Sequence, residues 1–113
     1  MIDKSILVAS THSWEGSFLP RYPKEQPEIV VMRISIPPGE KLPVHKHPII
    51  NAGYILQGEL TVEDELGDTH VFHAGDAIIE MVNKKHYGEN RGTETVELVM
   101  FYAAVPDIPL SEE

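Results

Sequence analysis

Short runs of apolar residues, several of them alternating with polar ones, follow one another along the chain from residue 29 onward. Alternation with a period of two is typical of strands with one buried face, and no segment shows the longer period of an amphipathic helix. The predicted strands are Ile29–Ile36, Asn51–Gln57, Glu59–Glu63, Thr69–His73, Ala77–Val82 and Thr95–Val105. Turn residues separate them, so the pattern predicts an all-β, antiparallel sandwich or barrel.

The chain has 113 residues, which is the size of one domain. Prolines are frequent within residues 1–28, and we expect this segment to form an N-terminal arm packed on the barrel. Residues 29–105 are predicted to form the barrel itself. Residues 106–113 are predicted to be a loose C-terminal tail.

Two segments are apolar on both faces of a predicted strand, Ile29–Met32 and Leu98–Tyr102. A strand with one face in water should alternate, so these segments must be covered on both sides. We expect a homodimer, or at least coverage by the N-terminal arm.

The composition argues against several classes of function. The net charge of −9 argues against a nucleic-acid partner, because binding to phosphates needs clustered cations. The longest apolar run, Leu98–Val105, is too short for a membrane helix, and Ile6–Ala9 is too short for a signal peptide, so we expect a cytoplasmic protein. Cysteine is absent, which leaves His, Asp and Glu for chemistry.

Three of the six histidines form a pattern suited to metal binding. His45 and His47 are two apart, so both side chains point to the same face of an extended segment. Pro43 and Pro48 flank them and favour such a segment at a sheet edge. His86 would arrive from a different strand, and together the three nitrogens could hold one divalent ion.

Two longer motifs surround these histidines. The first contains Gly39, His45, Lys46, His47, Asn51 and Gly58, and the second Gly75, Met81, Val82, Asn83, His86 and Asn90. In spacing, residues 39–90 resemble the two motifs of the cupin family. Asn51 stands where the family has Glu, and Met81 and Asn83 stand where it has Pro and Gly. The resemblance implies a double-stranded β-helix, or jelly-roll barrel, with a metal ion in its mouth.

The change at position 51 alters the expected site. Three histidines without a carboxylate would leave the full charge of the ion, which favours an acidic ligand or substrate. We expect Asn51 to form a hydrogen bond inside the barrel, and the alternatives are a weak ligand or a residue that orients the substrate. Gly53 shares its face and would leave room beside the ion. Glu80 and Glu89 are possible proton carriers whose positions the sequence does not define.

The resemblance implies a mononuclear metal enzyme of the dioxygenase or isomerase type, which acts on a small polar or acidic molecule. The metal would be Fe, Mn, Ni, Cu or Zn, and no catalytic residue can be assigned. One alternative is a non-catalytic module that binds a small molecule or a metal. A weaker one is a metal-free scaffold dimer. No nucleic-acid or membrane partner is expected.

Overall fold

The computed structural model describes residues 1–113 and contains seven β-strands. They are β1 (Glu28–Ile36), β2 (Ile50–Gln57), β3 (Glu59–Asp64), β4 (Thr69–His73), β5 (Ala77–Ile79), β6 (His86–Glu89) and β7 (Val96–Ala104). The structure contains no helix with the length and hydropathy needed to cross a bilayer.

The strands form two sheets with every neighbouring pair antiparallel. One sheet has the order β1-β7-β2-β5 and the other the order β4-β3-β6. Sequence neighbours are separated in the larger sheet, which is how a jelly roll brings distant segments together. The predicted all-β, antiparallel barrel is confirmed.

The core lies between the sheets and follows from the alternation along each strand. In β7 every second side chain is buried, namely Val96, Leu98, Met100, Tyr102 and Ala104. From β2, Ile55 is completely buried in the same cluster. The core therefore uses the inward face that the period-two pattern predicts.

The predicted strand Ala77–Val82 ends earlier, at Ile79. Beyond it the chain leaves the sheet and turns at Asn83, whose φ is 59°. Asn is one of the few residues other than Gly that adopt this left-handed conformation readily. Asn83 can therefore take the place of the Gly expected at this turn.

The C-terminal tail is held to the barrel, contrary to the expectation that it is loose. Lys46 and Glu112 exchange two backbone hydrogen bonds of 2.8 Å. The arm is attached through Trp14, whose backbone N–H donates to the carbonyl of Ile79 at 2.9 Å. Both peripheral segments thus meet the barrel close to the histidine motifs.

The outer face of β1 and β7 carries exposed apolar side chains. Ile29 is 67% exposed, Val31 is 60% exposed and Phe101 is 48% exposed. Val31 and Phe101 are paired across the two strands, so they form one continuous patch. The N-terminal arm leaves this patch uncovered.

The two faces of β2 should differ sharply in their contribution to stability. We predict that Ile55→Ala lowers the free energy of unfolding by about 2–5 kcal/mol, because it leaves a cavity in the core. Leu56→Ala is the matched control, since Leu56 is 43% exposed on the same strand, and it should cost about 0.5 kcal/mol or less. Urea unfolding followed by tryptophan fluorescence measures both. Equal losses would show that the core does not lie on the Ile55 side.

Candidate metal centre

A direct backbone pairing places two of the predicted ligands side by side. The N–H of His45 donates to the carbonyl of His86, and the N–H of His86 donates to the carbonyl of His45, each at 2.9 Å. Side chains of such an antiparallel pair project from the same face. Their ring centroids are accordingly 4.6 Å apart.

His47 joins this pair from the same extended segment as His45. Its ring centroid lies 4.9 Å from that of His45 and 5.0 Å from that of His86. One ligand nitrogen of each ring lies within 4.8 Å of the other two. The structure thus brings together the three histidines that the sequence singled out.

Each ring is oriented by a hydrogen bond at Nδ1. The partners are backbone carbonyls: His45 with Pro43 at 2.6 Å, His47 with Leu110 at 2.9 Å and His86 with Lys84 at 3.0 Å. A carbonyl oxygen can only accept, so Nδ1 carries a proton in every ring. Nε2 is then the nitrogen available to a metal ion, an arrangement that recurs among metal-binding histidines.

Burial favours the neutral, ligating form of His47. The side chain is buried, and this burial lowers its pKa. The carbonyl of Leu110 and the carboxylate of Glu80 act in the opposite direction but are outweighed. Neutral imidazole is the form that binds a metal ion.

Glu80 also belongs to the site, although the sequence did not place it there. Its Oε2 lies 3.2 Å from Nε2 of His86, and its Oε1 accepts a hydrogen bond from Nε1 of Trp14 at 3.1 Å. Burial alone would raise the pKa of Glu80, but the adjacent rings of His86 and His47 outweigh it and the pKa is lowered. Burial alone would lower the pKa of His86, but the Glu80 carboxylate outweighs this effect and the pKa of His86 is raised.

Two buried side-chain atoms have no hydrogen-bond partner, and both lie in the cupin-like motifs. They are Nε2 of His86 and Oδ1 of Asn51. The contact of His86 with Glu80 is short enough for a hydrogen bond, but its direction is not that of one. Buried polar atoms without partners are rare in native proteins. A cation bound at the three Nε2 atoms would satisfy His86.

Asn51 forms a hydrogen bond inside the barrel, whereas Gly53 has different surroundings from those expected. Asn51 is buried, and its Nδ2 donates to the carbonyl of Ile49 at 3.2 Å. Gly53 does not leave room for a ligand, because the side chain of Met100 fills that space: a Cβ at position 53 would lie 2.1 Å from its Sδ. The glycine therefore serves the packing of Met100.

The histidines and Glu80 line a cavity of about 60 Å³ in the barrel mouth. The remaining walls are mostly apolar, with Ile34, Leu42 and Leu98 among them, and contain no Lys or Arg. A wider hollow of about 240 Å³ adjoins it, bordered in part by the C-terminal tail. Sites for drug-sized molecules are usually about 300–1,000 Å³, so this cavity suits a much smaller ligand.

The other three histidines lie elsewhere. His12 stacks near Phe18, with centroids 4.2 Å apart, and His70 near Phe72 at 4.4 Å. His73 is exposed and lies 3.7 Å from Glu59. These three rings therefore lie apart from the clustered histidines.

Several solved structures share this architecture. An uncharacterised conserved protein with a double-stranded β-helix domain from Klebsiella pneumoniae is 25% identical, with a TM-score of 0.65 and 79% of each chain covered. The DMSP lyase DddQ from Ruegeria pomeroyi is 17% identical, with a TM-score of 0.63, over 72% of this chain and 41% of that one. An oxalate oxidase in complex with the substrate analogue glycolate is 23% identical, with a TM-score of 0.61, over 73% of this chain and 45% of that one.

These likenesses concern the fold, since this chain spans less than half the length of the lyase and the oxidase. A comparison with curated proteins gave no match. The family model of the cupin domain matches residues 32–102, which is more than half of the chain and includes all three clustered histidines. The protein therefore belongs to the cupin family.

Proposed function

We propose that this protein is a mononuclear metal-dependent cupin enzyme that acts on a small molecule, with the ion held by His45, His47 and His86. The observation that supports this most is the convergence of three rings whose Nδ1 atoms are all bound to carbonyls. Imidazole nitrogens suit Fe, Mn, Ni, Cu or Zn. When bound, such an ion supplies a Lewis acid or a site for O₂.

The cavity supports a small substrate that binds next to the histidines. Its walls of Ile34, Leu42 and Leu98 exclude water and favour an apolar remainder on the substrate. Three histidines without a carboxylate would favour an acidic substrate. Glu80 supplies a negative charge, and no Lys or Arg lines the cavity, so a small polar molecule is the better proposal.

The reaction class remains that implied by the family, a dioxygenase or isomerase reaction. The oxalate oxidase neighbour was solved in complex with glycolate, which is a molecule of very few atoms. We propose a substrate of similar size for this chain.

A non-catalytic binding module is the second candidate. The observation that favours it is that Glu80 is the only carboxylate lining the cavity, and its Oε1 is already occupied by Trp14. Both functions use the same metal centre, so turnover distinguishes them. O₂ consumption by the Fe(II) form should be measured over dicarbonyls, phenols and amino-acid derivatives, with product analysis for isomerised substrates. Binding of these molecules without turnover would support the module.

Metal binding can be tested directly on protein purified without a polyhistidine tag or nickel column. We predict one divalent ion per chain by elemental analysis after loading with Zn(II) or Fe(II). His86→Ala should weaken binding at least about 100-fold, because losing even an outer-sphere partner of a ligand costs about 10–100-fold. His73→Ala is the matched control and should bind normally. Folded wild-type protein that takes up none of the tested ions would contradict the proposal.

The proton positions give a second test that needs no metal. In mildly alkaline buffer, His45 and His47 should carry their proton on Nδ1, because carbonyls accept from that atom. Two-dimensional ¹H–¹⁵N spectra of the imidazole rings distinguish the two tautomers. Protonation of Nε2 in both rings would mean that they are not prepared for an ion, and exposed His73 provides the comparison.

We also propose a homodimer that covers the outer patch of Ile29, Val31 and Phe101. Isolated exposed apolar residues are common, but a continuous patch of this kind is typical of an interface. In an antiparallel two-fold arrangement the same patch can serve both copies.

The dimer predicts a solution mass of twice the 12.7 kDa chain by sedimentation equilibrium. Val31→Glu should yield monomers, because it buries an unpaired charge at the centre of the patch. Leu66→Glu is a suitable control, since Leu66 is also exposed but lies in the turn between β3 and β4. A wild-type protein that is monomeric at micromolar concentration would refute this arrangement.

A further inference from the structure

We infer that Glu80 provides the carboxylate ligand that position 51 lacks, and that Trp14 of the N-terminal arm holds it in place. This inference rests on the proposed metal function. It assigns as a ligand Glu80, the residue that follows β5. The position on β2 where the motif has a carboxylate is Asn51, which carries an amide. Strand register, a contact distance and a hydrogen bond support this assignment.

The register explains how the carboxylate can be supplied from another strand. Ala52 of β2 is paired with Ile79 of β5, so the next residues outward are Asn51 and Glu80. The backbone N–H of Glu80 donates to the carbonyl of Asn51 at 3.1 Å, which continues the pairing by one residue. Cross-strand neighbours point to the same face. A side chain at position 80 therefore enters the barrel beside the one at position 51.

The contact between Glu80 and His86 has the spacing of two ligands of one ion. Oε2 and Nε2 are 3.2 Å apart without the direction of a hydrogen bond. Nitrogen and oxygen ligands lie about 2.0–2.2 Å from such an ion, so neighbouring ligands are about 2.8–3.6 Å apart, from octahedral to tetrahedral angles. The observed distance falls within that interval.

Trp14 determines which carboxylate oxygen is free. Its Nε1 donates to Oε1 of Glu80 at 3.1 Å, which leaves Oε2 directed at His86. The indole is itself held in place because the backbone N–H of Trp14 donates to Ile79 at 2.9 Å. Trp14 is thus a positioning residue that acts through Glu80.

Charge supports the same assignment. Glu80 is buried next to three histidines in a cavity without Lys or Arg. A buried carboxylate needs a positive partner, and a divalent ion at the histidines would provide it. In return, the carboxylate would lower the net charge of the site to the value expected for a cupin with Glu at position 51.

The first experiment measures Co(II) and Zn(II) binding by calorimetry for wild type and Glu80→Gln. Gln keeps the size of the side chain and an oxygen for Trp14, but it loses the charge and the second oxygen that faces His86. We expect affinity to fall about tenfold or more, and the visible absorption spectrum of bound Co(II) to change because a ligand has changed. Glu65→Gln is the control, since Glu65 is an exposed carboxylate in a turn, and it should leave both unchanged.

The second experiment exchanges the two positions. In the Glu80→Gln background, Asn51→Glu should restore most of the lost affinity. In the wild-type background, Asn51→Glu should give no gain, because two carboxylates would then be buried next to each other. A site without a carboxylate would instead bind several-fold more tightly after Asn51→Glu.

The third experiment tests the positioning role of Trp14 by a double-mutant cycle. Trp14→Phe keeps the aromatic ring and removes the N–H donor. It should lower Co(II) affinity several-fold in the wild type and have little effect when Glu80 is already Gln. A merely structural role for Trp14 would lower both equally.

The outcomes separate this inference from the proposed function. If wild-type protein binds no metal, the metal centre itself is wrong. If wild type binds metal but Glu80→Gln keeps its affinity and Co(II) spectrum, the assignment of Glu80 is overturned. A gain in affinity from Asn51→Glu alone would overturn it as well, and this result does not depend on how well the Glu80 variants fold.

Discussion

The candidate site depends on one backbone contact, the reciprocal pair of hydrogen bonds between His45 and His86. These residues are far apart in the chain, and the contact closes the barrel mouth on that side. Directly opposite residues of an antiparallel pair place their side chains on the same face, so the contact that closes the barrel also brings the two rings together. His47 then follows automatically, since it shares the face of His45. A barrel that failed to close here would leave the histidines on separate edges.

Segments outside the two sheets complete the site. The C-terminal tail provides the carbonyl of Leu110 that orients His47, and the N-terminal arm provides the indole of Trp14 that orients Glu80. Both are held by backbone hydrogen bonds to the barrel, through Glu112 and through Trp14 itself. The ring and carboxylate directions are therefore maintained by parts of the chain that make only a small contribution to the core.

The departures from the cupin motifs have local physical explanations. Asn83 adopts the left-handed turn conformation that Gly would take, with φ of 59°. Met81 stands in place of a Pro and is completely buried. At position 51 an amide replaces a carboxylate, while Glu80 brings a carboxylate in from the adjoining strand. A carboxylate thus lies beside His86 although the side chain at position 51 is neutral.

The pattern of apolar residues was sufficient to predict six of the seven strands, all except β6, because a period of two is a local property. The same rule placed His45 and His47 together, and motif spacing added His86. Alternation does not specify register, and register alone sets Glu80 beside Asn51 and Met100 above Gly53. The carbonyl of Leu110 under His47 is likewise a contact between distant segments. Such contacts arise only when the chain closes on itself, since no short stretch of residues encodes its distant partner.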